Sequence, residues 1–235
     1  MAEMTTTPIV ALDVSSPSDA LRIVDGLGDL CRFYKVGSEL FTSGGPDVVS
    51  RVRRSGADVF LDLKFHDIPN TVRGAVQSAA ALGVKLLTVH AGGGSAMLEA
   101  AVAAAEGRVR ILAVTVLTSF DDASLAAATG RPGLSAAEEA VRLADLASVA
   151  GVHGVVCSGA EAPVLRDRFG DRLALLVPGI RLSGGATHDQ RRVVSPAQAA
   201  AAGARYIVIG RAVTGASDPR AAMESVISEL SSVVV

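Results

Sequence analysis

The sequence predicts an α/β protein, a single (β/α)8 barrel spanning residues 1–235, and three observations carry that prediction. The length, 235 residues, lies just under the size typical of such barrels and suits one compact domain. Eight short β-rich runs alternate with eight Ala-, Leu- and Val-rich amphipathic segments, the pattern of a parallel sheet covered by helices; eight units favour closure over an open doubly wound sheet. The strand runs are almost continuously apolar yet end on polar residues, and strand C-terminal ends are where a barrel gathers its site.

The elements follow in order. A strand over 9–13 ends on Asp13, and Ser16-Pro17 opens a helix over 17–27. The second strand, 33–36, carries Lys35; Gly45-Pro46 starts a helix over 46–55, closed by Gly56. The third, 59–64, ends on Asp62 and Lys64, and Ile68-Pro69 leads into 70–82, with Gly83 after it. Strand 86–90 ends on His90; Gly92-Gly93-Gly94 reads as a tight turn, fitting neither the Walker pattern nor GxGxxG, before a helix over 95–106. Strand 111–117 runs to Thr118. The connection 118–134, with Gly130-Arg131-Pro132-Gly133, is long enough for a lid beside a ligand and has room for a short helix. Helix 135–150, strand 155–157 ending at Ser158, helix 160–169, strand 173–177 ending at Pro178-Gly179, helix 195–202, strand 206–209 ending at Gly210-Arg211, and helix 219–231 complete the chain. No linker, charge block or low-complexity tail divides it.

Composition excludes several function classes. Hydrophobic residues at 49% and charged ones at 20% supply a large core and lack the signature of disorder. The 22 basic and 24 acidic side chains give a formal charge of −2, without the basic excess of a nucleic-acid-binding domain. Charge or Gly interrupts every apolar stretch before it could span a bilayer, and the N-terminal MAEMTTTPIVALDV does not read as a signal peptide; a cytoplasmic protein is expected. Cys31 and Cys157 sit in apolar stretches and read as buried thiols in a reducing compartment. His66, His90, His153 and His188 lack metal-ligand spacing, so each reads as a structural histidine and no metal is expected.

The basic residues comprise nineteen Arg and only three Lys, at 35, 64 and 85. Arginine often serves where charge is wanted, but its very high pKa makes it a poor proton donor, whereas a lysine can be tuned. Lys85 opens a strand and reads as a solvated end. Lys64 lies in FLDLKFHDIPNTV, 60–72, where strand periodicity puts Asp62 and Lys64 on one face with Phe60. Asp67 falls at the strand-to-helix turn, where a helix cap is its ordinary role. With Lys35 from the neighbouring strand, these residues form a charged array able to orient a lysine and set its pKa; an ion-pair network without chemistry is the competing reading.

The run Asp62-x-Lys64-x-x-Asp67 followed by Ile-Pro-Asn-Thr resembles the signature of the bacterial orotidine 5'-monophosphate decarboxylase family. The resemblance covers nearly the whole chain, in family order: ALDV at 11–14, FYKVGSELF at 33–41, TVHAGGG at 88–94, VLTS at 116–119, VPGIR at 177–181, DQRR at 189–192 and VIGRAVT at 208–214. It implies a homodimeric barrel that converts orotidine monophosphate to uridine monophosphate and carbon dioxide, the last step of de novo pyrimidine synthesis, without metal or organic cofactor. It further implies that Lys64 stabilises and protonates the C6 carbanion, that Asp62 lies near the departing carboxylate, and that Lys35 and Asp67 complete a tetrad. Asp67, Ile68 and Thr71 would reach the partner subunit's pocket. Arg211, the Gly210 and Arg211 backbone and Gln190 would hold the phosphate, with Pro178 and Arg181 nearby. Gln190 would also bridge to the pyrimidine. Asp13 and Lys35 would contact the ribose, and Thr118 the pyrimidine. Without the resemblance, IGR at a strand end is a weak signal, and Arg181 reads equally as a surface charge.

Two rival readings remain. Metal-dependent keto-sugar-phosphate decarboxylases and hexulose-phosphate synthases share the barrel and Asp-x-Lys-x-x-Asp; IPNT, VLTS and DQRR point away from them. A catalytically silent phosphoribosyl-ligand sensor would keep the phosphate grip, but the intact Asp62, Lys64 and Asp67 argue against it.

Overall fold

The computed structural model describes residues 6–182 and 194–233. Eight parallel strands close in sequence order into a barrel: β1 Thr7–Ala11, β2 Phe33–Gly37, β3 Asp58–Phe65, β4 Leu86–His90, β5 Arg110–Val114, β6 Gly154–Val156, β7 Ala174–Val177 and β8 Tyr206–Ile209, with β8 pairing back onto β1. Closure leaves no sheet edge to cover. Around it lie α1 Pro17–Leu27, α2 Ser38–Arg54, α3 Pro69–Ala81, α4 Ser95–Ala105, α5 Asp122–Thr129, α6 Ala136–Val149, α7 Ala162–Phe169, α8 Pro196–Ala201, α9 Arg211–Thr214 and α10 Pro219–Ser231.

Strand alternation sorts the core into two bodies. Ile9, Phe33, Phe60, Leu86, Leu112, Leu176 and Tyr206 point inward and fill the barrel, with Phe33 edge-on to Tyr206 at 6.4 Å. Residues of opposite parity, among them Val10, Tyr34, Leu61, Leu87, Ile111 and Leu175, meet the helices. Each fully buried Leu or Phe contributes about 1.5–3 kcal/mol. Several helices start where the sequence supplies a cap: Ser16 accepts from the Asp19 N–H, Asp218 from Ala221, and Ser195 forms a capping box with Gln198.

The structure departs from the sequence reading in four places. The second helix begins at Ser38, not 46; Gly45, at φ 59°, kinks it before Pro46, so the Gly-Pro signal marks a break inside a helix instead of its start. The ladder of β5 stops at Val114, because Val116 and Leu117 turn to line a cavity. The stretch 118–134 does hold the short helix the sequence left room for, α5, capped by Asp121 and Ser124, but it is tied down: Arg131 and Arg142 both pair with the buried Glu139, whose carboxyl the Arg142 guanidinium holds below the usual range. Of that expected lid, only Thr118 lines the cavity. A four-residue helix, α9, follows β8 directly.

The third strand carries an irregularity. Lys64 has φ 52°, a left-handed conformation costing about 1–3 kcal/mol for a residue with a side chain, where β3 loses register with β4. Cys31 and Cys157 are free and buried, and burial raises the Cys31 thiol pKa. Among the described residues no helix is long and apolar enough to cross a membrane.

Candidate active site

A cavity of about 440 Å³ opens at the C-terminal end of the barrel, over the inward layer that includes Phe60 and Leu176. Asp13 enters its wall just beyond β1, Lys35 from β2, Asp62 and Lys64 from β3, Thr118 beyond β5, Pro178, Gly179 and Arg181 beyond β7, and Gly210 and Arg211 beyond β8. Residues far apart in sequence converge because parallel strands all present the same end.

One side of the cavity is a chain of alternating charge. Lys35 Nζ lies 2.5 Å from Asp13 Oδ1 and 3.7 Å from Asp62 Oδ2, while Lys64 Nζ lies 2.9 Å from Asp62 Oδ1. The chain is buried at its middle and open at its ends: the Lys35 and Asp62 side chains are 10% and 13% exposed, against 57% for Asp13 and 36% for Lys64. Lys35 is thus held between two carboxylates, while Lys64 has one carboxylate partner among the described residues and is the more exposed of the two. Register explains the proximity, since Ala11 pairs with Lys35 and Gly37 with Asp62. Gly37 is required by space: a Cβ there would lie 2.8 Å from Lys35 Nζ and 3.2 Å from Asp13 Oδ1.

The other side is built for an anion. Gly179, at φ 79°, adopts a conformation that favours glycine, Arg181 follows, and Gly210 leads straight into α9. Loops after strands seven and eight, with a short extra helix, are where barrels commonly hold phosphate. Arg211, the first residue of α9, lines this end. The backbone at Ile180 and Val194 bridges, with Arg181 N–H donating to the Val194 carbonyl at 3.0 Å.

Asp67, Ile68 and Thr71 do not line this cavity; all three are exposed, and Ile68 is 68% exposed. Asp67 does not cap α3, since its Oδ1 accepts from the adjacent Ile68 N–H at 2.6 Å and the Ile68 cap position has no side-chain bond. Gln190 and His188 lie outside the described residues. Sequence reasoning passed over Gly37, Thr214 on the cavity wall, and Thr88, a buried threonine inside an apolar strand. The signal for Thr88 was its inward parity, two positions before His90. His90 stacks obliquely on His66 at 5.3 Å; burial, then the His66 ring and the Lys64 ammonium, lowers its pKa. Among the described residues no three His, Cys, Asp or Glu side chains gather in a way that could hold a metal ion.

The arrangement suits a small elongated anion, gripped at one end by arginine and backbone N–H groups and set at the other against a lysine ammonium held by a carboxylate. Residues 6–226 match the orotidine 5'-phosphate decarboxylase / HUMPS family. Orotidine 5'-phosphate decarboxylase of Halorhodospira halophila is 50% identical over 228 residues, covering 94% of each chain, and that of Saccharophagus degradans is 47% identical over 226 residues, again 94% of each. The crystal structure of orotidine 5'-phosphate decarboxylase from Lactobacillus acidophilus superposes with a TM-score of 0.84 at 38% identity, covering 96% of this chain and 99% of that one.

Proposed function

Because the chain belongs to the orotidine 5'-phosphate decarboxylase / HUMPS family, we propose that its barrel mouth converts orotidine 5'-monophosphate to uridine 5'-monophosphate and carbon dioxide, with Lys64 as proton donor. The observation that carries the reading is the alternating Asp13–Lys35–Asp62–Lys64 chain, which ends on the lysine of a cavity that Arg211 also lines.

The chemistry follows from charge. Breaking the bond between C6 and the carboxylate leaves an electron pair on a ring carbon that no carbonyl stabilises well by conjugation, so the site must supply a positive charge and a proton. Lys64 supplies both: its ammonium sits beside the developing carbanion and transfers a proton to C6 as carbon dioxide departs. Asp62 orients that ammonium and lies beside the departing carboxylate. Lys35, paired with Asp13 and Asp62, spaces the two carboxylates and contacts the ribose with Asp13. Thr118 reads the pyrimidine. Arg211, the Gly210 and Arg211 backbone, and Arg181 beside Pro178 hold the phosphate, with Gln190 joining them from outside the described residues. Binding energy from this remote group is available to position the reacting carbon.

A second copy of the chain completes the site. The exposed Ile68 between Asp67 and Thr71, at the rim of the β3 end of the barrel, supports a homodimer in which those three residues enter the neighbouring cavity. The two buried free thiols support a cytoplasmic setting. No organic cofactor or metal has a step to perform in this scheme.

The decisive assay follows the ultraviolet absorbance of orotidine monophosphate mixed with chelator-treated protein. Rapid conversion to uridine monophosphate is expected. Substrate binding without conversion by folded protein would point to the ligand sensor, and activity on keto-sugar phosphates appearing only with added magnesium would point to the metal-dependent relatives.

A further inference from the structure

The third and fourth strands fall out of step at the reacting residues. Phe60 pairs with Leu86 and Leu61 with Leu87, but the next pair is Phe65 with Val89. Three residues of β3, Asp62, Leu63 and Lys64, therefore span one position of β4, Thr88. The surplus is two residues, so inward and outward parity is the same above and below the irregularity. In an unbroken ladder Asp62 and Lys64 would share a face but stand about 6.6 Å apart along the strand, with Lys64 level with His90. Here Lys64 is drawn back level with Thr88, and its N–H has left the ladder and needs another acceptor.

Thr88 supplies it. This side chain is wholly buried, its Oγ1 accepts from the Lys64 N–H at 3.0 Å, and its hydroxyl donates to Asp62 Oδ1 at 2.9 Å. The direction is forced: a backbone N–H can only donate, so the single hydroxyl proton goes to the carboxylate. That same Asp62 oxygen accepts from Lys64 Nζ at 2.9 Å. One hydroxyl thus bonds the main chain of the lysine and the carboxylate that orients its ammonium, closing a small ring of contacts across the two strands.

We infer that Thr88 is a positioning residue for the decarboxylation: its hydroxyl holds Lys64 in its left-handed backbone conformation and fixes the Asp62 carboxylate, keeping carboxylate and ammonium in one layer of the barrel. The inference rests on the proposed roles of Asp62 and Lys64. It assigns Thr88 no contact with substrate, so its effect falls on turnover and leaves the phosphate grip untouched.

Thr88→Val and Thr88→Ser separate a hydroxyl role from a packing role. Valine keeps the shape and loses the hydroxyl; serine keeps the hydroxyl and leaves a methyl-sized void. Steady-state kinetics on orotidine monophosphate, with melting curves to establish folding, should give Thr88→Val a kcat about 10- to 100-fold below the parent, the scale of a misplacement near 1 Å, with KM within about threefold. Thr88→Ser should recover most of that kcat. A Thr88→Ser loss exceeding that of Thr88→Val, a Thr88→Val loss confined to KM, or a parental kcat in Thr88→Val would overturn the inference. Should Thr88→Val not fold, Thr88→Ala is compared with Thr88→Ser, since the two differ only in the hydroxyl: at least about tenfold higher kcat for serine supports the role, and equal values refute it. Lys64→Ala run in parallel tells the two levels apart. If Lys64→Ala is inactive while Thr88→Val is parental, only the role of Thr88 falls; if Lys64→Ala retains activity, the proton-donor assignment beneath it falls.

Discussion

Gly37→Ala places one methyl group against the centre of the charged wall. The backbone at Gly37, φ −94° and ψ −178°, is open to any residue, so alanine introduces no torsional strain. The cost is steric and local. Its Cβ would lie 2.8 Å from Lys35 Nζ, where ordinary contact begins near 3.4 Å, so the ammonium must retreat by at least about 0.6 Å. A free lysine would move at little cost, but this one is 10% exposed and held by Asp13 at 2.5 Å and Asp62 at 3.7 Å. Asp13 Oδ1, 3.2 Å from the new carbon, is pressed in the same way, which loosens the pair as a unit. Displacements approaching 1 Å in a positioned site cost on the order of 100-fold, so kcat/KM should fall about 10- to 100-fold. The fold should not suffer: removing a glycine from a strand at compatible torsions is neutral or stabilising by up to about 1 kcal/mol. The assay is the initial rate of orotidine monophosphate consumption by ultraviolet absorbance, paired with a thermal melt. Parental kcat/KM would refute the claim that Lys35 must be fixed to within half an ångström, and a collapse in melting temperature would show that Gly37 serves the strand and not the ion pairs.

Three further outcomes are expected. Arg211→Ala removes a charge-assisted contact to phosphate and should lower kcat/KM about 10- to 150-fold, mainly through KM, with the deficit shrinking for a substrate lacking the phosphate; unchanged kinetics would take Arg211 out of that site. Inactive Lys64→Ala and Asp67→Ala proteins, mixed and allowed to exchange subunits, should regain about one quarter of parental activity, because half the dimers are mixed and each mixed dimer holds one intact composite site; exchange proven by mass without recovery would confine Asp67 to its own subunit. His153, at the opposite end of the barrel, has its pKa lowered to about 4 by burial and by Arg110 and Arg205. Between that value and the ordinary value near 6.5 the unfolded chain binds the proton that the folded chain refuses, so stability should fall as pH drops from about 6.5 to 4, by up to roughly 2 kcal/mol after allowance for solvent screening. Denaturant titrations across that range read the slope, and His153→Gln should flatten it.

The elements that position the site were legible because each rests on a local signal. Apolar runs ending in Asp13, Lys35, His90 and Gly210 mark strand ends whatever their neighbours are, and the scarcity of lysine singled out Lys35 and Lys64. Spacing put Asp62 and Lys64 on one face. Their shared layer was not legible, since it depends on how Phe65 pairs with Val89 on another strand, and on a left-handed Lys64 that no propensity favours. The helix from Ser38 to Gly44 was hidden for a related reason: Gly45-Pro46 is a strong break signal, and only tertiary packing, with Leu40 before the break and Val48 after it both buried in the core, shows helix on both sides. Asp67 stands out in the motif, yet its exposure on its own barrel is a tertiary fact that local sequence does not carry.

The charged wall has one more consequence, for how the protein meets its ligand. Asp13, Lys35, Asp62 and Lys64 carry two charges of each sign within a few ångströms, so seen from beyond a Debye length of about 8 Å they sum to nothing. The reacting end of the cavity therefore cannot draw an anion in from solution. On the proposed phosphate assignment capture falls to the end lined by Arg181 and Arg211, and capture should weaken as ionic strength rises. Once the ligand is seated, the contact between Lys35 and Asp62, 10% and 13% exposed, is screened little by dissolved ions, so the bond-breaking step should proceed at nearly the same rate in dilute and concentrated salt. Recruitment and chemistry answer to different electrostatic ranges, and the solvent controls only the first.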